Sequence, residues 1–216
     1  WPYDTDPKAV YEALQKTNLT MIGLNTQRGN TELGENGISA LPGREDEARA
    51  AIDEAISYAT KIKAKNIHVM AGISAGEEAE KVFLKNLNYA CSKAISYDIT
   101  ILIEPLNKYD APGYFLNTTH QALEIIKKID YPNLKLMFDC YHVQLMEGNI
   151  VNKLNSMMPF IGHIQFASVP DRGEPESGEL SYDFIFKTIQ QLNYKGPIGA
   201  EYKPMGDTNL SLGWMK

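Results

Sequence analysis

Short apolar runs alternate with longer segments of helical periodicity along this chain, and the alternation restricts its fold more than any other feature. The apolar runs predict six strands, at Leu19–Leu24, Asn66–Ala71, Ile99–Glu104, Leu134–Asp139, Ile161–Phe166 and Ile198–Glu201. The segments between them predict helices from Pro7 to about Lys16 and over Glu45–Lys61, Glu77–Ser96, Thr119–Ile129 and Tyr182–Leu192. This order is typical of parallel strands joined by right-handed helical crossovers. The sequence therefore predicts an α/β fold, in a single domain over residues 1–216.

Two architectures fit this pattern: an open doubly wound sheet and a closed (β/α)8 barrel. No strand is followed by the glycine-rich signatures G-x-G-x-x-G or G-x-x-x-x-G-K-[ST], which disfavours nucleotide-binding versions of the open sheet. The predicted strands are also two fewer than a closed (β/α)8 barrel requires.

Charge, apolar run length and cysteine content restrict the partners and the compartment of the protein. The chain has 27 acidic and 21 basic residues, a net charge of −6, which disfavours nucleic acids and anionic membranes as partners. No apolar run approaches the roughly 18 residues that a membrane span needs. The two cysteines are too few for a disulfide framework and indicate a reducing, cytoplasmic compartment.

Polar side chains end four successive predicted strands. They are Glu104, Asp139, Gln165, close to the end of its strand, and Glu201. In parallel α/β folds the carboxyl ends of the strands hold the ligand, so we expect these side chains to converge. Carboxylates packed together repel one another, and a hard divalent cation, Mg²⁺ or Mn²⁺, would relieve that repulsion. The alternative is that each acidic residue caps its strand by accepting loop N–H groups.

Three further side chains near the same edge could contact a substrate. His142 follows Asp139 by three residues and could donate to a substrate oxygen, or be an ordinary loop histidine. Arg172 and Lys203 could bind a substrate carboxylate. Arg172 could instead pair with its neighbours in sequence, and Lys203 could lie in solvent. The long segment Gly29–Arg44 is either a lid or a surface loop.

Several motifs are spread over nearly the whole chain. They are Pro2-Tyr3-Asp4, Gly34-Glu35-x-Gly37-Ile38, Leu41-Pro42-Gly43-Arg44-Glu45, Ile103-Glu104-Pro105-Leu106-Asn107, Asp139-x-Tyr141-His142, Met146-Glu147-Gly148, Gly162-His163-Ile164-Gln165, Arg172-Gly173-Glu174-Pro175 and Glu201-Tyr202-Lys203-Pro204. With them the chain resembles the hydroxypyruvate isomerase family of the xylose-isomerase-like TIM-barrel superfamily. The resemblance implies that Trp1-Pro2-Tyr3 is the tail of the second barrel strand. The first strand, the first helix and most of the second strand of the (β/α)8 barrel would then be missing from this chain.

The resemblance also implies a chemistry. A divalent metal would be held by Glu104, Asp139, Gln165 and Glu201, and hydroxypyruvate and tartronate semialdehyde would interconvert through an enediolate. Glu104 and Glu201 would act as acid and base, and His142, Arg172 and Lys203 would bind the substrate. Ketose 3-epimerases of the superfamily have histidine where this chain has Gln165, which favours the isomerase branch.

Other functions stay open on the sequence. The same scaffold could isomerise a 2-oxo-tetronate, epimerise a ketose at carbon 3, or bind a sugar acid without catalysis. Metal-dependent abasic-site nucleases share the barrel, but they use a histidine-rich metal cluster that four scattered histidines do not supply. We therefore expect a small 2-oxo or hydroxy acid as the partner. A homo-oligomer is also open.

Overall fold

The computed structural model describes residues 1–215. Six parallel strands pair in sequential order to form a curved sheet, which is part of a TIM barrel. The strands are β1 Gly23–Asn25, β2 Asn66–His68, β3 Thr100–Ile103, β4 Leu134–Asp139, β5 Ile161–Phe166 and β6 Ile198–Ala200. The α-helices are α1 Pro7–Thr17, α2 Glu45–Ile62, α3 Gly76–Ala94, α4 Thr119–Ile129, α5 Cys140–Met146, α6 Ile150–Met157 and α7 Tyr182–Gln191. The predicted α/β class and the barrel architecture are confirmed.

The prediction that the first strand begins at Leu19 is wrong. Asn18 adopts a left-handed conformation that ends α1, and the Leu19 amide donates to the Leu14 carbonyl of the last helical turn. Leu19 therefore belongs to the helix cap and is exposed, and β1 begins only at Gly23. The remaining strands are predicted to within three residues at each end.

Helices α5 and α6 were not predicted, because seven and eight residues are too few for a hydrophobic period to stand out. Helix α5 begins directly after β4, where the Asp139 side chain accepts a hydrogen bond from the Tyr141 amide. Asn149, in the left-handed region at φ 57°, turns the chain into α6. The strand-end aspartate is thus also a helix cap.

Residue alternation along the strands separates the helix-covered face from the barrel interior. Ile101 and Ile103 of β3 are fully buried, as are Leu136 and Phe138 of β4, and all four lie in the main hydrophobic core with residues of the helices. The alternate residues Leu102 and Met137, with His163 of β5, line the interior instead. Because the side-chain period of a strand is two, Glu104, Asp139 and Gln165 share that interior face.

The helices cover the outer face of the sheet through narrow apolar stripes. Helix α2 buries Ala48, Ala51, Ile52, Ala55, Ile56, Tyr58, Ala59 and Ile62, at the spacing that its sequence period predicts. Its alanines let it lie close to its neighbours, while α3 contributes the fully buried Phe83 and Leu87. No helix in residues 1–215 has the length and apolar character to span a bilayer.

Replacing Ile101 by alanine should lower the free energy of unfolding by about 2–5 kcal/mol. The side chain is fully buried, and its truncation leaves a cavity in the centre of the packed layer between sheet and helices. Urea unfolding followed by circular dichroism measures the loss. Ile95→Ala is the matched control, since Ile95 is 46% exposed and its truncation should change stability by only about 0.5 kcal/mol. Equal losses in both variants would contradict this account of the core.

Candidate functional site

Two connected cavities lie along the interior face of the sheet. The larger, about 570 Å³, is lined by the strands themselves, including Leu102, Met137 and His163. The smaller, about 330 Å³, lies among the loops that follow the strands. His68, Glu104 and Glu201 line both. Glu104 and Glu201, two of the four predicted strand-end side chains, therefore lie where the two cavities adjoin, while Gln165 lines the larger one.

Glu104, Asp139 and His142 form a buried cluster in which one potential ligand atom of each lies within 4.8 Å of the others. The His142 Nε2 atom is 3.7 Å from Asp139 Oδ2 and 4.0 Å from Glu104 Oε1. Gln165 is the direct register partner of Asp139 across the β4–β5 pair. The structure thus brings together Glu104, Asp139 and Gln165, from three of the four strand ends at which polar side chains were expected to converge.

Three oxygen atoms of this region are buried without a hydrogen-bond partner in residues 1–215: Glu104 Oε1, Asp139 Oδ2 and Gln165 Oε1. Burial, followed by the charge of Glu201, raises the pKa of Asp139 to about 7. Burial, with the charges of Glu201 and Asp139, also raises the pKa of Glu104. Unsatisfied buried oxygens are costly, and coordination to a divalent cation would offset that cost. The donor set fits such an ion.

The hydrogen bonds of His142 determine which ring nitrogen carries the proton. Its Nδ1 atom accepts from the backbone amide of Asn107 at 3.1 Å and lies 2.7 Å from Asn107 Nδ2. Because both Asn107 groups are donors, the proton of the neutral ring is on Nε2. Burial, assisted by the positive charge of Arg172, lowers the pKa of His142 to about 3 and keeps the ring neutral. His142 therefore presents an N–H donor to the carboxylates and to anything bound beside them.

Arg172 connects the strand-end carboxylates. Its guanidinium lies 2.9 Å from Glu201 Oε2, 3.4 Å from Asp110 Oδ2 and 3.9 Å from Asp139 Oδ2. It also stacks over the Tyr141 ring at 5.0 Å. Within residues 1–215, Arg172 forms no ion pair with its sequence neighbours Asp171 and Glu174. Glu201 is half exposed and lies outside the buried cluster of Glu104, Asp139 and His142.

Lys203 lines the smaller cavity but is exposed and forms no ion pair with any residue in the described range 1–215. Its amide donates to the Arg172 carbonyl at 2.7 Å, which ties the loop after β5 to the end of β6.

Asn107, Asp110 and Arg28 also belong to the site, although none was predicted as a site residue from the sequence. Asn107 is fully buried: its side chain donates to Asp110 Oδ2, and its Oδ1 accepts from the amides of Tyr109 and Asp110. Its place at the end of the Ile103–Asn107 motif, three residues after Glu104, is the sequence signal that could have identified it. The loop fold that brings Asp110 and Arg28 to the cavity has no periodicity from which it could be predicted.

Comparisons with known proteins agree with this architecture. The model of a family described as "Xylose isomerase-like TIM barrel" matches residues 1–216. The chain is 41% identical over 220 residues to the 2-oxo-tetronate isomerase of Cupriavidus necator and 40% identical over 219 residues to the hydroxypyruvate isomerase of Escherichia coli. Each match covers 100% of this chain and 85% of the relative. A crystal structure described as AP endonuclease, family 2, from Brucella melitensis superposes with a TM-score of 0.97 at 37% identity, covering 100% of this chain and 84% of that one.

Asn107→Ala should lower the free energy of unfolding by about 1–3 kcal/mol, because it removes a fully buried side chain and leaves the partly buried amides of Tyr109 and Asp110, and the Asp110 carboxylate, without their partner. Asn88→Ala is the control: the Asn88 side chain donates only to the Leu84 carbonyl on the surface of α3, and we expect a change near zero. Chemical denaturation measures both. An Asn107→Ala protein as stable as the control would show that these hydrogen bonds do not hold the loop.

Proposed function

The chain belongs to the xylose isomerase-like TIM barrel family, and we propose that it isomerises a short 2-oxo acid, interconverting hydroxypyruvate and tartronate semialdehyde. The observation that carries the proposal is the group of unpartnered buried oxygens of Glu104, Asp139 and Gln165 beside Glu201. The names of the relatives from Escherichia coli and Cupriavidus necator, both isomerases, support the reaction class.

The reaction moves one proton between two adjacent carbons, and a second between the oxygens on those carbons, through an enediolate. It therefore needs a base at one carbon and an acid at the other. Glu104 follows β3 and Glu201 follows β6, and both line the two cavities. A substrate lying between them would have the Glu104 carboxyl group on one side and the Glu201 carboxyl group on the other. The two glutamates exchange the roles of base and acid between the forward and reverse directions.

Glu104, Asp139, Gln165 and Glu201 would hold the metal. All four offer oxygen atoms, which favours Mg²⁺ or Mn²⁺ over a thiolate-binding ion. When bound, such a cation supplies a Lewis acid that stabilises negative charge on the substrate oxygens.

The remaining polar residues orient the substrate. His142 donates from Nε2 to a substrate oxygen, which is consistent with the neutral ring that Asn107 holds. Arg172 holds Glu201 in place and, with Lys203, makes the cavity edge attractive to an acid.

A 2-oxo-tetronate is the second candidate substrate, because the relative from Cupriavidus necator carries that name and the proton transfer is the same. A volume of about 330 Å³ lies at the lower end of small-molecule sites, roughly 300–1,000 Å³, and suits a short acid of either length. A nuclease activity is disfavoured, since a net charge of −6 does not complement DNA phosphates.

Glu201→Gln should lower the turnover of hydroxypyruvate by about 10²- to 10⁴-fold, because an amide cannot accept the proton. Proton NMR in D₂O with added Mn²⁺ or Mg²⁺ follows loss of the substrate CH₂ signal and the appearance of deuterated tartronate semialdehyde. Glu176→Gln, at an exposed position outside both cavities, should keep the wild-type rate. Wild-type turnover in Glu201→Gln would refute the assigned role. If the wild type exchanges no protons with hydroxypyruvate, this substrate is wrong.

Adding Mn²⁺ at about 100 times its Kd should stabilise the protein by about 2.7 kcal/mol, which raises Tm by about 5–10 °C for a chain of this size. Glu104→Gln and Asp139→Asn should lose most of this rise because each removes a charged ligand. Thermal unfolding with and without EDTA measures the shift, and Glu176→Gln again serves as the control. A full shift in both ligand variants would place the ion elsewhere.

A further inference from the structure

We propose that Arg28, which follows β1, is the residue that binds the substrate carboxylate and selects oxo acids over uncharged sugars. This inference rests on the proposed function in one respect, namely that the substrate is an acid. It adds a binding residue to the site from the end of the sheet opposite Glu201.

Arg28 is held in a defined orientation beside the smaller cavity. Its Nε atom donates to Asn36 Oδ1 at 3.1 Å, and its guanidinium carbon lies 4.9 Å from the centre of the Trp1 ring. These contacts leave both terminal nitrogens without a hydrogen bond or an ion pair to any residue from 1 to 215. Stacking and a single Nε contact fix the guanidinium plane, so little side-chain freedom would be lost on binding.

The segment that supplies Asn36 is itself anchored to the sheet. The Gly37 amide donates to the Arg28 carbonyl at 2.8 Å, and Gly37 bridges to Ala71. Gly37 has φ +103°, and a Cβ atom there would lie 2.6 Å from the Met70 carbonyl oxygen. A residue other than glycine would therefore displace this segment. Glu35, bonded to Arg44 and to the Asn30 amide, closes the same loop on its outer side.

Of the cations that line the smaller cavity, Arg28 is the one best able to bind a substrate carboxylate. Arg172 is already surrounded by Asp110, Asp139 and Glu201. Lys203 is exposed, whereas Arg28 is half-buried. A guanidinium with two uncommitted terminal nitrogens can bind a carboxylate through two parallel hydrogen bonds, which a lysine cannot do.

The curvature of the sheet places this cation across the cavity from the proposed base. Arg28 and Asn36 come from the loop after β1, while Arg172 and Glu201 follow β5 and β6 at the other end of the sheet. All four nevertheless line one cavity, together with Glu104. An acid whose carboxylate lies against Arg28 therefore has its carbonyl and hydroxyl carbons directed towards the glutamates.

The test compares Arg28→Gln with the wild type on hydroxypyruvate and on dihydroxyacetone, the uncharged three-carbon analogue, in the presence of Mn²⁺. Loss of hydrogen bonds to a charged group should lower kcat/KM for hydroxypyruvate by about 10- to 100-fold, mainly through KM. Activity on dihydroxyacetone should stay within about threefold of the wild type, and Arg28→Lys should recover part of the loss. An unchanged KM for hydroxypyruvate, or an equal loss on both substrates, would overturn the proposal.

Arg49→Gln is the matched control, because Arg49 also stacks on an aromatic ring, 5.3 Å from Tyr89, but lies outside both cavities. Binding of glycerate and of glycerol to the same variants, measured by NMR titration in EDTA, separates this inference from the proposed function. A wild type that does not turn over hydroxypyruvate, but binds glycerate at least tenfold more tightly than Arg28→Gln does, refutes the isomerase and supports the carboxylate site. A wild type that does not bind glycerate refutes the carboxylate site.

Discussion

The burial of oxygen atoms at the carboxyl ends of parallel strands is the constraint on which the rest of this site depends. Glu104 Oε1, Asp139 Oδ2 and Gln165 Oε1 are removed from water and have no hydrogen-bond partner in the part of the chain that is described. Such an arrangement is costly, and it persists because the strands that carry it are covered on their outer face by a well-packed layer of helices. The stability of that layer permits an unfavourable polar cluster on the opposite face.

Arg172 and Asn107 determine how charge is distributed around these buried oxygens. Arg172 lies against Glu201, Asp110 and Asp139, and so spreads one positive charge over three carboxylates. Asn107 supplies donors to His142 and thereby directs the Nε2 proton of that ring towards Glu104 and Asp139. The same asparagine holds Asp110. Two residues from different loops therefore position groups at the ends of three strands, β3, β4 and β6, which makes a site built from short strands and loops rigid.

The two ends of the open sheet contribute different side chains to the smaller cavity. Glu201 and Arg172 come from the end formed by β5 and β6, and Arg28 and Asn36 come from the loop after β1. A flat sheet would keep these groups far apart. Curvature brings them to one cavity of about 330 Å³, so that two arginines and two glutamates line the same space.

The sequence by itself determined five of the six strands to within three residues, the five longest helices and the interior positions of Glu104, Asp139 and Gln165, because side-chain alternation and hydrophobic period are local properties. It also indicated that oxygen ligands would meet at one edge. The tertiary structure decided the partners of Arg172, the tautomer of His142 and the contacts of Asn107 and Arg28. These depend on loops whose course is set by glycine conformation, capping and contacts distant in sequence. Contacts of this kind leave no periodic pattern in the sequence, so they are seen only in the folded chain.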